Sequence, residues 1–193
     1  MAQRSYKRVR LVSKRIELRP YKLSDFKTLQ KSHLDRLLRI NSFDEAIAIA
    51  AETDYEKFKK RIERHRLRGK NEEHFVFGIF ERKTGFYIGQ IDFFTFNKEL
   101  RWGNLGYHIQ NQFFGQGLAS EAARLGLKAA FKFLGFHRIE ASMEIKNKAS
   151  EKVAINIGLR FEGKRLEFFP DKKGVDIKVY ATNARDFKLA ASK

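Results

Sequence analysis

Hydrophobic and polar residues alternate along several parts of the chain, and these patterns predict strands. The segment Arg15 to Arg19 alternates charged and apolar residues, as a half-buried strand does. Two apolar and aromatic runs, residues 75–80 and 86–96, are separated by the turn sequence RKTG and predict a β-hairpin. Further strands are predicted at RWGNLGYHI, HRIEASMEI, LRFEGKRLEFF and VDIKVYATNA.

Capping residues before apolar repeats predict where the first helices start. Ser24 is expected to cap a helix that runs towards Ile40. The capping-box patterns SFDE and TDYE predict two further helix starts, at Ser42 and Thr53. Gly69 is expected to end the second of these helices.

The order of elements predicts one domain of the α+β (mixed α/β) class around a single central sheet. A helix with one small or apolar face is expected from Leu118 to Leu134, and a short helix in NKASEKVAINIG should end at Gly158. A chain of 193 residues suits a single domain, residues 1–193. Residues 1–13 are expected to form a basic, partly flexible tail.

Composition excludes several kinds of chemistry. The chain has no cysteine, so disulfides, zinc–thiolate sites and thiol nucleophiles are impossible. Its five histidines show no spacing with carboxylates that indicates a metal site. No secretory signal and no membrane-spanning run is apparent, so a cytoplasmic protein without membrane contact is expected.

The charge is strongly unbalanced, with 40 Lys and Arg against 23 Asp and Glu, a formal net charge of +17. The stretch KFKKRIERHRLRGK, residues 57–70, contains a single acid. Ile62 and Leu67 in it are expected to point inwards. Such a surface favours RNA, a ribosome or an acidic protein, although a solvated face is the alternative. Five basic residues should share one helical face: Lys57, Lys60, Arg61, Arg64 and Arg68.

The stretch FFGQGLASEA, residues 113–122, places two glycines between a predicted strand and a predicted helix. Backbone amides at a helix start can hold an anion, and glycines let the backbone approach it closely. A tight turn without further meaning is the alternative. The stretch is neither a Walker loop nor a Rossmann fingerprint, because the residues that should follow are absent.

Four motifs in sequence resemble the RimJ/RimL-like branch of the GNAT superfamily of N-acetyltransferases. They are GYHI at 106–109, GQGLASEA at 115–122, NKAS at 147–150 and GLRFEG at 158–163. The resemblance extends from Lys14 to about Asp186. It implies the GNAT fold, a central, mostly antiparallel twisted sheet flanked by helices, with a parallel splay that holds acetyl-CoA. It also implies direct attack of an amine on the thioester.

The resemblance implies roles for individual residues. Asn147 would hydrogen-bond the pantetheine arm, and Ser150 would bind near the thiol. The pantetheine arm would lie along Tyr107, His108 and Ile109. The pyrophosphate would lie on the turn and helix start at Phe114, Gly115, Gln116, Gly117, Leu118, Ala119 and Ser120.

Two departures from the family pattern concern proton transfer. Many GNAT enzymes have a tyrosine seven residues after the asparagine, where this chain has Ala154. The branch often has an acid where this chain has Asn104. Ser150 or water would therefore donate the proton to the thiolate. Asp92, among aromatic residues of the hairpin, is either a buried base or a solvent-facing carboxylate.

The acceptor is expected to be a primary amine, in the first place the N-terminal amine of a protein of the ribosomal type. The alternatives are a small amine, such as an antibiotic, polyamine or amino-acid derivative, or a non-catalytic protein associated with CoA or RNA. Either a monomer or a homodimer fits the sequence.

Overall fold

A computed structural model describes residues 6–44, 54–170 and 174–191. Its eight strands form one sheet in the order β1-β2-β3-β4-β5-β6-β8-β7, and only β5 and β6 are parallel to each other. The strands are β1 (Leu11–Val12), β2 (Ile16–Arg19), β3 (His74–Glu81), β4 (Tyr87–Asn97), β5 (Trp102–Ile109), β6 (Arg138–Glu144), β7 (Arg160–Arg165) and β8 (Ile177–Asn183). The predicted mixed α/β class, the hairpin and the final antiparallel pair are confirmed.

The described residues contain five α-helices, which pack on the two faces of the sheet. They are α1 (Phe26–Leu34), α2 (Tyr55–Lys70), α3 (Leu118–Ala129), α4 (Lys148–Asn156) and α5 (Ala184–Ala191). The helix predicted to reach Leu134 does so through a π-helical turn, Ala130–Leu134, that continues α3. No helix within the described ranges is long and apolar enough to cross a lipid bilayer.

Two hydrophobic clusters hold these layers together. The larger one lies under α3, where Ile91 and Phe93 of β4 are fully buried. Gly126 brings α3 close to the sheet, because an added Cβ would lie 3.1 Å from a methyl group of Ile91. The second cluster lies on the other face and joins α1 and α2 to the sheet, including Phe58, Ile62, Val76, Phe80 and Tyr87.

Residues 6–12, within the segment expected to be a flexible tail, take part in the fold. Tyr6 is 6% exposed, and its ring packs edge-on against Phe75 and Phe77 at centroid distances of 5.6 and 5.3 Å. Its hydroxyl donates to the backbone carbonyl of Val76. The large aromatic side chain thus anchors the start of the chain in the core.

The first helix differs from its prediction. The helical path begins with a 3₁₀ turn at Leu23–Asp25, and α1 ends at Leu34 rather than near Ile40. The backbone after α1 is held in an irregular course, since Asn111 donates to the carbonyls of Leu37 and Leu38 at 2.8 and 3.1 Å. Sequence periodicity contains no information about such tertiary hydrogen bonds.

The helix starts predicted at Ser42 and Thr53 have different outcomes. The helix expected from Ser42 falls largely on residues 45–53, which lie outside the described residues. The third helix is α2, capped by Asp54, whose side chain accepts from the Lys57 amide. It runs past Gly69 to Lys70, and Gly69 lies in the last turn because the Tyr6 ring leaves no room for a side chain there.

The inward face of α2 was predicted correctly at Ile62 and wrongly at Leu67. Ile62 is 1% exposed, whereas Leu67 is 59% exposed. Five residues separate them, which turns Leu67 about 140° around the helix and away from the sheet.

Candidate functional site

The central feature of the site is a cleft between β5 and β6. The two parallel strands pair over only three residue pairs, from Trp102↔Arg138 to Asn104↔Glu140. Beyond this point each strand continues but pairs only with its outer neighbour, β4 or β8. Leu105–Ile109 and Ala141–Glu144 therefore form two walls of a cleft. The backbone edges facing it are available to an extended ligand.

Two helices begin at the open end of this cleft. Because β5 and β6 run in the same direction, the segments that follow them lead to neighbouring helix N-termini, those of α3 and α4. Asn147 caps α4, where its side-chain oxygen accepts from the Ser150 amide at 3.0 Å. The first amides of each helix lack intrahelical partners and carry partial positive charge. The open end of the cleft thus suits an anionic group.

The turn before α3 requires its glycines. Gly115 and Gly117 have φ angles of 75° and 73°, in the left-handed region that residues with side chains rarely adopt. Arg15 holds the turn from outside, with Nη1 donating to the Gln116 carbonyl at 2.8 Å. Its Nε donates to Glu121 of α3 at 2.6 Å.

Glu121, the carboxylate that follows the glycines, has a structural task. Its second oxygen accepts from the Ser13 hydroxyl at 2.5 Å. Burial opposes ionisation of Glu121, but the hydrogen bonds from Ser13 and Arg15 together outweigh it and lower its pKa. Glu121 therefore ties the glycine turn to the connection between β1 and β2, and contacts these side chains instead of the cleft.

One hydroxyl pair bridges the two sides of the cleft. Tyr107 of β5 donates to the Ser150 Oγ on α4 at 3.2 Å. Burial raises the pKa of the Tyr107 phenol, so the phenol stays protonated as a donor. Ala154, one turn after Ser150 and at the position of the expected tyrosine, is 2% exposed.

The residue next to Ser150 fixes α4 against the sheet. Glu151 accepts from the Tyr180 hydroxyl of β8 at 2.7 Å, and it forms an ion pair with Lys178. Hydrogen bonds from Lys178, Tyr180 and Lys148 lower the pKa of Glu151 to about 2. These bonds hold the start of α4, and with it Ser150, at a fixed place beside β8.

The opposite sheet face, beneath α1 and α2, carries a polar network. The His108 Nε2 and the Tyr87 hydroxyl lie 3.2 Å apart. The Tyr21 hydroxyl lies 3.2 Å from that of Tyr87 and donates to the Gln90 Oε1 at 3.0 Å. The side chain of His108 thus contacts this network, away from Tyr107 and Ser150.

A histidine–carboxylate pair lies on the same face. The His74 Nε2 is 2.7 Å from the Asp92 Oδ2, and the Asp92 side chain is 25% exposed. No local sequence pattern predicts this pair, because the two residues are 18 positions apart and meet only through the register of the hairpin. Within the described ranges, no group of three or more His, Asp or Glu side chains is arranged to hold a metal ion.

The residues expected from the sequence to form a site divide into three sets. Tyr107, Asn147 and Ser150 meet at the cleft. His108 and Asp92 lie on the α1–α2 face instead. A third group forms the adjoining turn and helix start and consists of Phe114, Gly115, Gln116, Gly117, Leu118, Ala119 and Ser120. Within it, Phe114 is partly exposed, whereas Leu118 and Ser120 are buried.

Comparison with known proteins identifies relatives of this chain. The family model of the acetyltransferase (GNAT) domain matches residues 15–160. "Probable N-acetyltransferase YjcK" of Bacillus subtilis is 31% identical over 157 residues, which are 79% of this chain and 84% of that protein.

Solved structures share the fold at low sequence identity. The ribosomal-protein-S5-alanine acetyltransferase of Vibrio fischeri superposes with a TM-score of 0.72 at 21% identity, covering 93% of this chain and 98% of that one. Mycobacterium smegmatis RimJ, solved with a CoA-disulfide, has a TM-score of 0.69 at 20% identity, covering 92% and 89% of the two chains.

The buried His65 of α2 gives a prediction for acid stability. Burial, reinforced by the charges of Arg61, His74 and Arg64, lowers the pKa of His65 to about 4. Its Nδ1 has no hydrogen-bond partner among the described residues. In the unfolded chain the pKa is about 6.5, so stability is complete above that pH and falls as pH drops towards 4.

Replacing this histidine should therefore flatten the acid branch of the stability curve. Between pH 7 and pH 4.5 the parent should lose roughly 2–3 kcal/mol more free energy of unfolding than His65→Phe, as measured by urea titration. The exposed His137 provides the control, and His137→Gln should follow the parent. Equal losses in the parent and His65→Phe would contradict this role of His65.

Proposed function

We propose that this chain, which belongs to the GNAT acetyltransferase family, transfers the acetyl group of acetyl-CoA to the N-terminal amine of a protein. The family membership makes it an N-acetyltransferase that uses acetyl-CoA. The observation that carries the proposal further is the cleft between β5 and β6, with a glycine turn and two helix N-termini at its open end.

Acetyl-CoA fits this cleft in one direction. The pyrophosphate would bind at the turn and helix start from Gly115 to Ser120, where the first amides of α3 lack intrahelical partners and two φ angles favour glycine. The pantetheine arm would extend along the unpaired edge of β5, from Tyr107 to Ile109, as an added strand does. The side-chain NH₂ of Asn147 would donate to the arm, because its oxygen already caps α4.

Ser150 is the group proposed to protonate the leaving thiolate. Its Oγ accepts a hydrogen bond from Tyr107, so its own proton is directed elsewhere, and the protonated Tyr107 can restore it. In the proposed reaction, this pair takes the role of the family's tyrosine, whose position is occupied by Ala154 in this chain. Holding the amine and the thioester together would supply much of the remaining acceleration.

The protein N-terminus as acceptor is supported by the fold of the relatives and by charge. Structures that share the fold include the acetyltransferase named for ribosomal protein S5. The exposed basic residues of α2 give this helix a positive surface, which disfavours a polyamine as acceptor. These residues, here named the α2 basic stripe, are Lys57, Lys60, Arg64 and Arg68. Arg61, expected among them, is half-buried against the Phe58 ring.

A panel of acceptors tests the proposed function. The parent should release thiol from acetyl-CoA with short peptides that carry a free N-terminal Ser, Ala or Met, and mass spectrometry should find the acetyl group on the α-amine. The same peptides with a blocked N-terminus are the control and should give no release. Faster release with spermidine than with any peptide would contradict the protein N-terminus as acceptor.

Removing the Ser150 hydroxyl should reduce turnover more than cofactor affinity. Ser150→Ala is expected to lower kcat roughly tenfold to a hundredfold with little change in the KM for acetyl-CoA, because proton donation matters only in the transition state. Tyr107→Phe should lower kcat less. The exposed Ser24, in the turn before α1 and away from the cleft, gives the control variant Ser24→Ala, with parental kinetics. Unchanged kcat in Ser150→Ala would leave water as the donor.

The α2 basic stripe is proposed to contact RNA or a ribosome-bound acceptor. Binding of the parent to ribosomes should weaken steeply with salt, through counterion release. Reversing Lys60, Arg64 and Arg68 to Glu should reduce the slope of log K against log salt by about 2 to 3 and leave acetyl-CoA binding intact. The same charge change at Lys83, Lys128 and Lys132, which are exposed elsewhere, should leave the slope unchanged. Salt-independent binding of the parent would contradict the contact.

A further inference from the structure

We infer that the carboxylate of Asp92, oriented by His74, is the base that takes a proton from the acceptor ammonium. The inference rests on the proposed function, because it assigns a role in the same transfer. It is drawn from three observations: the place of Asp92 beside the cleft, the glycine opposite it, and its bond to His74.

Asp92 lies next to the point where β5 and β6 separate. Its partner on β5 is Gly106, two residues beyond Asn104, the last β5 residue that pairs with β6. Side chains alternate between the faces of a strand, so Asp92 shares the α1–α2 face with its β3 partner Val76. Tyr107 and Ser150 meet on the other face. A thioester in the cleft would therefore have Ser150 on one side and Asp92 on the other.

Gly106 gives the carboxylate its position over β5. A Cβ at Gly106 would lie 2.8 Å from the Asp92 Oδ1, so any larger residue there would push the carboxylate out of this position. The glycine of the GYHI motif thus lets Oδ1 lie over the β5 backbone at the start of the cleft. The His74 Nε2 is bonded to the other oxygen, Oδ2, at 2.7 Å. The two oxygens therefore differ, since Oδ2 is bonded to His74 and Oδ1 lies nearer to Gly106.

Other polar groups on this face are less suitable. Glu140 of β6, beside Asn104, is 5% exposed and binds the Nη2 atoms of Arg138 and Arg165 at 2.9 and 3.4 Å. Both carboxylate oxygens of Glu140 are therefore engaged by guanidinium groups. His108 already contacts the Tyr87 hydroxyl. Asp92 has the single histidine as its charged or titratable partner within ion-pair distance, among the described residues.

The protons balance in this assignment. The acceptor ammonium loses two protons on becoming an amide. Asp92 Oδ1 takes the first and releases it to solvent, which gives the amine its lone pair. The amine nitrogen then forms a bond to the acetyl carbon, the carbon–sulfur bond breaks, and the second proton ends on the CoA sulfur through Ser150. His74 donates to Oδ2 throughout and acts as a positioning residue.

A pH series of kcat/KM on the most active peptide of the panel tests Asp92. Asp92→Asn is expected to be roughly 100-fold slower than the parent at pH 7. By pH 9 the ratio of parental to variant kcat/KM should fall by about tenfold, because an α-amine with a pKa of about 8 then loses its proton without a base. A deficit that stays constant from pH 7 to pH 9, or no deficit, would overturn the inference, because a merely structural role does not depend on the protonation of the amine.

Other titratable and charged groups lie near the pair of His74 and Asp92. His65, Arg61 and Arg64 face the pair from α2, and His108 lies on the same face of β5. His65 stays neutral because its pKa is lowered to about 4, and both arginines stay charged. Parent and variant share all of these groups, so their ratio isolates Asp92.

Matched variants distinguish a general effect of negative charge from the orientation of Asp92 by His74. Glu73→Gln removes the same charge from an exposed position next to His74 and should match the parent at every pH. His74→Ala should be roughly tenfold slower, and His74→Gln should recover most of the rate, because its amide can still donate to Oδ2. Parental rates in His74→Ala would overturn the positioning role.

The parent assay distinguishes the two levels of failure. Thermal stabilisation by CoA is measured for each variant to show that the fold and the cofactor site are intact. A parent that releases thiol with none of the amines would overturn the proposed function, and the inference with it. An active parent with an equally active Asp92→Asn would overturn the inference alone.

Discussion

The whole site depends on a hydrogen-bonding constraint at the centre of the sheet. Parallel strands must be joined by a crossover, here α3, and β5 and β6 pair for only three residue pairs before they separate. Their outer edges remain fully paired with β4 and β8, so the cleft opens without loosening the sheet. Because both strands point the same way, each delivers a helix N-terminus to the same end of the cleft. Anion binding and cleft geometry thus follow from one topological feature.

The two proton-transfer groups are separated by the alternation of side chains along β5. Tyr107 faces α4 and reaches Ser150, whereas its neighbours Gly106 and His108 belong to the face under α1 and α2. The proposed donor for the thiolate and the proposed base for the amine therefore lie on opposite faces of the sheet. The base on β4 would compensate for the missing acid at Asn104, since positions 92 and 104 are diagonal neighbours on the same face.

The sequence predicted those parts of the fold and site that depend on local signals. The hairpin, the π-extended helix up to Leu134 and the glycine turn are encoded within short windows, and the structure has all three. Leu67 differs from its prediction because it lies about 140° around α2 from Ile62 and is therefore exposed. The end of α1 and the anchoring of Tyr6 depend on residues some 70 positions away, beyond any local pattern.

The same reasoning explains why the candidate site was only partly predictable. The turn and Ser150 were found through motifs, because their backbone requirements recur in one family. The sequence does not point to His74, because the role proposed for it depends on its contact with Asp92. The two residues meet only through the hairpin register, which pairs Val76 with Asp92. The register also makes Gly106 informative, since its missing side chain is explained by a carboxylate on the neighbouring strand. A motif glycine can therefore mark the position of a side chain that lies on another strand.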